Sequence, residues 1–316
     1  MPKKKRDHPS NQPADAGQLK SGDRRASERV LADIAKLLSQ KEFGSQDEMN
    51  QFLQQMLLST GGHIPEMPPQ SPVEEAQNVM YKAWDAPSRV QRVKLARKAL
   101  NISPDCADAY VLLAEEHAET VAEQRALYAQ GVEAGERALK EQFKELKGHF
   151  WGHTETRPYM RARLGLAQCL WLLGELQAAA DHMAAMLDLN PNDNQGVRDL
   201  YITLLLELDD RVRMEKLLKQ YRDDWSVPML YGAALHEFRK NGRSAQAKKR
   251  LLKALDYNPH VPALLLRQKP LPKRIAEHYT PGDENEAVLY VLDAVGVWSM
   301  IDGALSWLRE VSEGTV

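Results

Sequence analysis

Lys98-Ala99-Leu100-Asn101-Ile102-Ser103-Pro104 returns as Ala185-Met186-Leu187-Asp188-Leu189-Asn190-Pro191 and again as Lys253-Ala254-Leu255-Asp256-Tyr257-Asn258-Pro259. Each copy has Leu in third place, then a polar residue, a large apolar one, Ser or Asn, and Pro. Pro lacks an N–H and its ring clashes with the carbonyl four residues back, so each phrase reads as the end of a helix. Pro191 and Pro259 lie 68 positions apart, twice the ~34-residue period of a two-helix repeat. Pro104 and Pro191 lie 87 apart, which places an insertion between them. The phrases therefore predict an all-α fold, a superhelical solenoid of antiparallel helix pairs.

Working outward, apolar spacing and turn residues set out the pairs. The spacing predicts 72–84 with 88–101, a second pair starting near Ala107 and turning at Thr120–Glu123, and 158–173 with 175–189 around Gly174. Next come 194–207 with 211–221, turning at Asp209-Asp210, and 228–240 with 243–257, turning at Asn241-Gly242. The 194–221 pair keeps the rhythm but ends without the Pro phrase. The repeat domain runs over 72–312, with the insertion at about 136–158 and an irregular C-terminal cap at about 261–312. A cap that covers the open end of a repeat stack is expected on physical grounds. Upstream, Val30, Leu31, Ile34, Leu37 and Leu38 share one helical face, and Ser45-x-x-Glu48 opens a second apolar helix with a capping box. Residues 27–60 thus read as a helical hairpin with a face to bury, 61–71 as a Pro/Gly linker, and 1–26 as a disordered basic tail.

Composition narrows the function. Apolar residues at 43% give ample material for a core, and the net charge is only −2. Residues 1–25 hold seven Lys/Arg against three Asp/Glu, so the body carries −6. An acidic body does not offer phosphates the cations on which nucleic-acid affinity rests. Two cysteines, Cys106 and Cys169, build no disulfide framework and fit a reducing compartment. No apolar segment follows the basic Pro2–Arg6 run, and no window reaches the ~18–20 apolar residues that cross a bilayer. A cytoplasmic protein with no membrane partner is expected.

The repeat columns resemble tetratricopeptide repeats over about 72–260: Tyr110, Leu113 and Ala114; Leu166, Ala167, Leu170, Gly174 and Ala179; Tyr231, Phe238, Gly242 and Ala247. A second likeness lies in Asn258 to Pro262, Leu264-Leu265, Gly282-Asp283, Glu286-Ala287, Trp298 and Gly303 to Leu305. These residues resemble the suppressor-of-tumorigenicity-seven family. Ser103 to Tyr110 and Asn190 to Gly196 are similar to text in uncharacterised bacterial tetratricopeptide proteins. The resemblance implies a binding module without a known reaction. It implies membrane attachment through N-terminal spans for eukaryotic members, and this sequence has no matching apolar run. The carboxylate clamp of chaperone-binding members is absent, since its slots hold Val111, Glu115, Leu164, Gly165, Gln168, Gln195 and Asp199.

The first helix of each pair should line a concave groove, and Glu115, Glu119, Arg161, Gln168, Trp171, Arg198, His236 and Arg239 are the side chains expected to face it. Charges that steer an encounter and aromatics that anchor it suit a protein or peptide partner. The expected function is a non-catalytic interaction scaffold with no cofactor. Two alternatives stay open: a metal-dependent enzyme using His149 and His153, with Glu155 close behind, and a nucleic-acid-associated protein using the basic tail. No phosphate loop, nucleophile elbow or Cys-x-x-Cys motif occurs.

Overall fold

The computed structural model describes residues 21–314 apart from 141 and 277. The first twenty residues of the predicted basic tail lie outside the described residues. No strand occurs among the described residues, and the chain forms two compact units that part between Arg222 and Asp223.

The first unit opens with α1 (Ser21–Ser39) and α2 (Gln46–Ser59). Helix pairs follow: α3 (Pro72–Trp84) with α4 (Arg89–Ile102), and α5 (Ala107–Glu116) with α6 (Val121–Leu139). The short α7 (Gln142–Glu145) and two 3-10 turns, Phe150–Gly152 and Thr154–Thr156, come next. The pairs resume with α8 (Arg157–Leu172) and α9 (Leu176–Leu189), then α10 (Val197–Leu208) and α11 (Arg211–Gln220). The second unit holds α12 (Val227–Asn241) paired with α13 (Ala245–Tyr257), then α14 (Val261–Leu265), α15 (Glu284–Met300) and α16 (Ala304–Ser312).

The three phrases adopt one conformation. Ser103, Asn190 and Asn258 are the residues capping the C-termini of α4, α9 and α13, all three buried. Each N–H donates to the carbonyl four residues back (Ala99, Met186, Ala254) at 2.9 Å. Their φ angles of −146°, −140° and −139° place them in the extended region that a following Pro imposes. Helix starts are equally local. Ser45, Ser71, Thr120 and Asp283 accept from the N–H three residues on, which belongs to Glu48, Glu74, Glu123 and Glu286. Each Glu reaches back to the N–H before the cap: Gly44, Gln70, Glu119 and Gly282. The reciprocal box is thus one residue wider than the usual form, in which the carboxylate meets the cap's own N–H.

Packing is tightest between α6 and α8, where glycine removes the side chain that would hold the helices apart. A Cβ on Gly131 would stand 3.0 Å from Ala162 Cβ, and one on Gly135 would stand 2.7 Å from Tyr159 Cβ. The inserted segment is fastened to the same place. Fully buried Phe150 meets Phe143 at 4.9 Å and Tyr159 at 6.0 Å between ring centroids, both edge-on. Edge-to-face rings are favoured by their quadrupoles. In the second unit Phe238 stacks on Trp307 at 4.4 Å, and Trp298 Nε1 donates to Tyr290 Oη at 2.8 Å. No single helix among the described residues is long and apolar enough to cross a membrane. The bent pair α15 and α16 passes by length and composition, but its Trp298 and Trp307 lie in the unit's core.

Candidate functional site

Among the residues with described side chains, α1 has one fully buried member, and it is charged. Glu28 is 4% exposed. A carboxylate taken out of water needs a cation held against it, and the first helices of three successive pairs build the arrangement that supplies one. Arg161, on the first turns of α8, donates from Nη1 and Nη2 to the two Glu28 oxygens at 2.9 and 3.0 Å. The same guanidinium donates from Nε to Asp108 Oδ1 at 2.8 Å and from Nη2 to Asp108 Oδ2. Asp108, on α5, is wholly buried and also accepts from Gln77 Nε2 of α3 at 2.8 Å. Arg157 Nη1 stands 3.6 Å from Glu28, and the Trp84 ring lies 5.9 Å from Arg161 Cζ.

Two carboxylates and two guanidiniums balance, so the node is neutral with α1 seated and cationic by one charge without it. Burial works against the Arg161 charge, but Asp108 and Glu28 outweigh it and raise its pKa above the ordinary arginine value. Burial pushes the neighbouring Cys106 thiol up to about 12, with Asp108 adding to the shift. A planar fork satisfied on both sides is a task for arginine rather than lysine. Three weaker ties help to hold α1: Lys36 to Glu74 at 2.7 Å, Arg29 to Glu66 at 2.6 Å, and Asp33 Oδ1 accepting from Met67 N at 3.1 Å.

The structure sorts the predicted groove residues into different roles. Arg161 is the centre of the node. Glu115 and Glu119 are exposed, at the end of α5 and in the turn after it. Gln168 and Trp171 are half-buried on the C-terminal half of α8, and Trp171 Nε1 donates to Glu207 Oε2 at 2.6 Å. Arg198 serves a local purpose: its Nη1 meets Asp193 Oδ2 at 2.9 Å, and that carboxylate caps α10 by accepting from Val197 N and Arg198 N. His236 is buried at 7% exposure on α12, a helix that packs against α13, α15 and α16. Arg239 is half-buried on α12, in the second unit.

One residue extends the set. Leu172, spaced four from Gln168 and eleven from Arg161, shares their stripe of α8 and is 61% exposed. The proposed metal pair shows no such convergence: His149 is exposed before the first 3-10 turn, and His153 Nδ1 is 3.7 Å from Glu155. No group of three or more His, Cys, Asp or Glu able to hold a metal occurs among the described residues.

Sequence reading missed Glu28 and Asp108. Asp108 carried a signal, since an acid inside the apolar run Ala107 to Ala114 must find a cation when that run is buried. Glu28 carried none.

Paired helices and a charge node on their first-helix face define a helical-repeat protein. The particular family follows from comparison: a model described as ST7 protein matches residues 67–316, and the chain belongs to that family. It is 31% identical over 266 residues to Suppressor of tumorigenicity 7 protein-like of Rattus norvegicus, covering 76% of this chain and 47% of that protein. The Homo sapiens protein of that name gives 31%, with 76% and 46% covered. Protein ST7 homolog of Drosophila melanogaster gives 30% over 269 residues, with 77% and 49% covered. The chain thus spans about half the length of the curated relatives it matches. No solved structure matches.

Proposed function

We propose that this chain is a non-catalytic scaffold whose pairs are tetratricopeptide repeats and whose first-helix face binds a partner protein. The repeat assignment is supported by the shared conformation of the three phrases and the 68-residue spacing of the last two. The observation that carries the binding assignment is the α8 stripe. Arg161 already holds a helix at one end, and Gln168 and exposed Leu172 continue the stripe beyond it. An exposed leucine beside polar side chains suits a protein contact, in which an apolar anchor supplies energy and the polar rim supplies orientation. Free, buried Cys106 and Cys169 support placing the protein in the reducing cytoplasm.

The test is quantitative co-purification with the full chain, with Glu119→Arg plus Leu172→Asp, and with an equal charge change on the second-helix side at Glu133→Arg plus Val212→Asp. A partner that binds this face falls at least ~10-fold with the first pair, about 1.4 kcal/mol, and is retained by the second. If every specific partner survives the first pair, the face is not the binding surface.

A further inference from the structure

α1 sits on the family domain as a ligand sits on a receptor. The receptor residues Gln77, Trp84, Asp108, Arg157 and Arg161 fall inside the matched region, whereas Glu28 lies outside it. A helix integral to a core is held by buried apolar side chains. α1 buries none fully among those described, and Val30 and Leu31 are 43% and 46% exposed. Its companion α2 has no buried residue at all. The pair is tethered through residues 60–71, which contain no helix. Segments with few buried apolar contacts open at far lower cost than the core that they rest on. Charge places α1, while its apolar residues Ile34, Leu37 and Leu38 are only half-buried.

From this we propose that α1 is a displaceable cis ligand, and that the Arg157–Arg161–Asp108 node is a receptor for a carboxylate on an amphipathic helix of a partner protein. When α1 leaves, Arg161 keeps Asp108, Arg157 loses its carboxylate, and the node carries one uncompensated positive charge. Only a side chain that brings back an anion in bidentate register restores it. That requirement selects Glu, with Gln as the neutral isostere that is rejected. A tether keeps the cis ligand at high effective concentration, so a helix in trans binds weakly until α1 is weakened. The proposal rests on the scaffold reading above and adds the chemistry of the partner and its regulation.

The experiment uses the full chain and a labelled peptide spanning residues 21–39, with a Glu28→Gln peptide as its control. In the full chain, Glu28→Lys sets a cation against Arg161 and unseats α1. The peptide should bind the Glu28→Lys chain at least ~10-fold tighter than wild type, and the Glu28→Gln peptide should lose at least ~10-fold. Hydrogen exchange should show 21–39 exposed in the Glu28→Lys chain, with 107–116 and 157–172 protected as in wild type.

Equal peptide affinity for the two chains, or indifference to Glu28→Gln in the peptide, overturns the proposal. Loss of protection throughout 107–172 also overturns it, because α1 would then be part of the core. A concentration-dependent dimer of wild type that the Glu28→Lys change abolishes makes a second copy the occupant and removes the partner-helix assignment. Any of these results, with partner capture still sensitive to Glu119 and Leu172, leaves the scaffold reading intact.

Discussion

Gly135→Ala should destabilise the protein, although alanine is the better helix former. In the middle of α6 the substitution gains ~1 kcal/mol of intrinsic helix propensity. Against this, the new methyl would stand 2.7 Å from Tyr159 Cβ and 3.1 Å from Tyr159 Cα, where ordinary carbon contacts lie at ~3.5–4.0 Å. The obstruction is backbone and Cβ rather than a flexible tip. Tyr159 is fully buried, with Phe143 at 5.2 Å and Phe150 at 6.0 Å edge-on to its ring. Relief therefore means separating α6 from α8 by on the order of 1 Å, and overpacking of this kind costs ~1–3 kcal/mol or more. With a backbone obstruction the upper end applies, and the net loss is about 2 kcal/mol. Gly296→Ala is the control. It lies in α15 with nothing within 4 Å of the added methyl, so the same change there gains ~0.5–1 kcal/mol. Urea denaturation reads both, with amide exchange over 121–139 and 284–300 assigning each change to its unit. At a slope of ~2 kcal/mol per molar the Gly135 midpoint falls by roughly 1 M. A Gly135→Ala midpoint at or above wild type would refute the claim that this seam needs glycine.

Other expectations follow from single sites. Asn258→Ala strips the partner from the Asp283 carbonyl at 2.9 Å and from His260 N at 3.1 Å, for a loss of about 1–3 kcal/mol. Asn258→Ser should lose less, since Ser103 in the first phrase accepts from Asp105 N in the same way; thermal melts rank the two. Asp108→Asn leaves the Arg161 charge half-paired, which puts the loss at about 3–5 kcal/mol in a urea titration. Burial pushes the thiols of Cys106 and Cys169 up to about 12 and about 11. The native protein should resist iodoacetamide at pH 8 and react once unfolded, as mass spectrometry would record. Because the folded state holds these protons more tightly, their contribution is complete below the ordinary thiol range and declines as pH rises from there toward 11 and 12. Melts between pH 8 and 10 should fall accordingly, and should fall less in a Cys106→Ala variant.

Features written in neighbouring residues were legible in the sequence. The phrase closes a helix through contacts within four positions, so the helix ends at Ile102, Leu189 and Tyr257 lie within a residue of their predicted places, and the capping boxes, which span five, fix helix starts such as Pro72. What depends on distant neighbours was not legible. α1 begins at Ser21, upstream of the predicted 27, and its place is fixed by Arg161, 133 positions away. The closeness of α6 and α8 turns on Gly131 and Gly135, which read along the chain as poor helix residues and nothing more. His236 falls in a groove column by counting, but counting does not reveal that its side chain is buried.

The residue that closes a pair has consequences of the same local kind. In the third phrase the cap ties the finished pair forward: Asn258 Nδ2 donates to the Asp283 carbonyl that starts α15. After Asn190, Asp193 caps the start of α10. At the end of α11 the phrase is missing, and Tyr221 occupies the cap at φ −110° with its side chain turned back. Its hydroxyl donates to Pro191 O at 2.9 Å, and its ring lies 5.5 Å from Arg198 Cζ, both within the first unit. Two pairs end without the Pro phrase, α5 with α6 and α10 with α11, and Lys140 and Tyr221 stand where the phrase would place Ser or Asn.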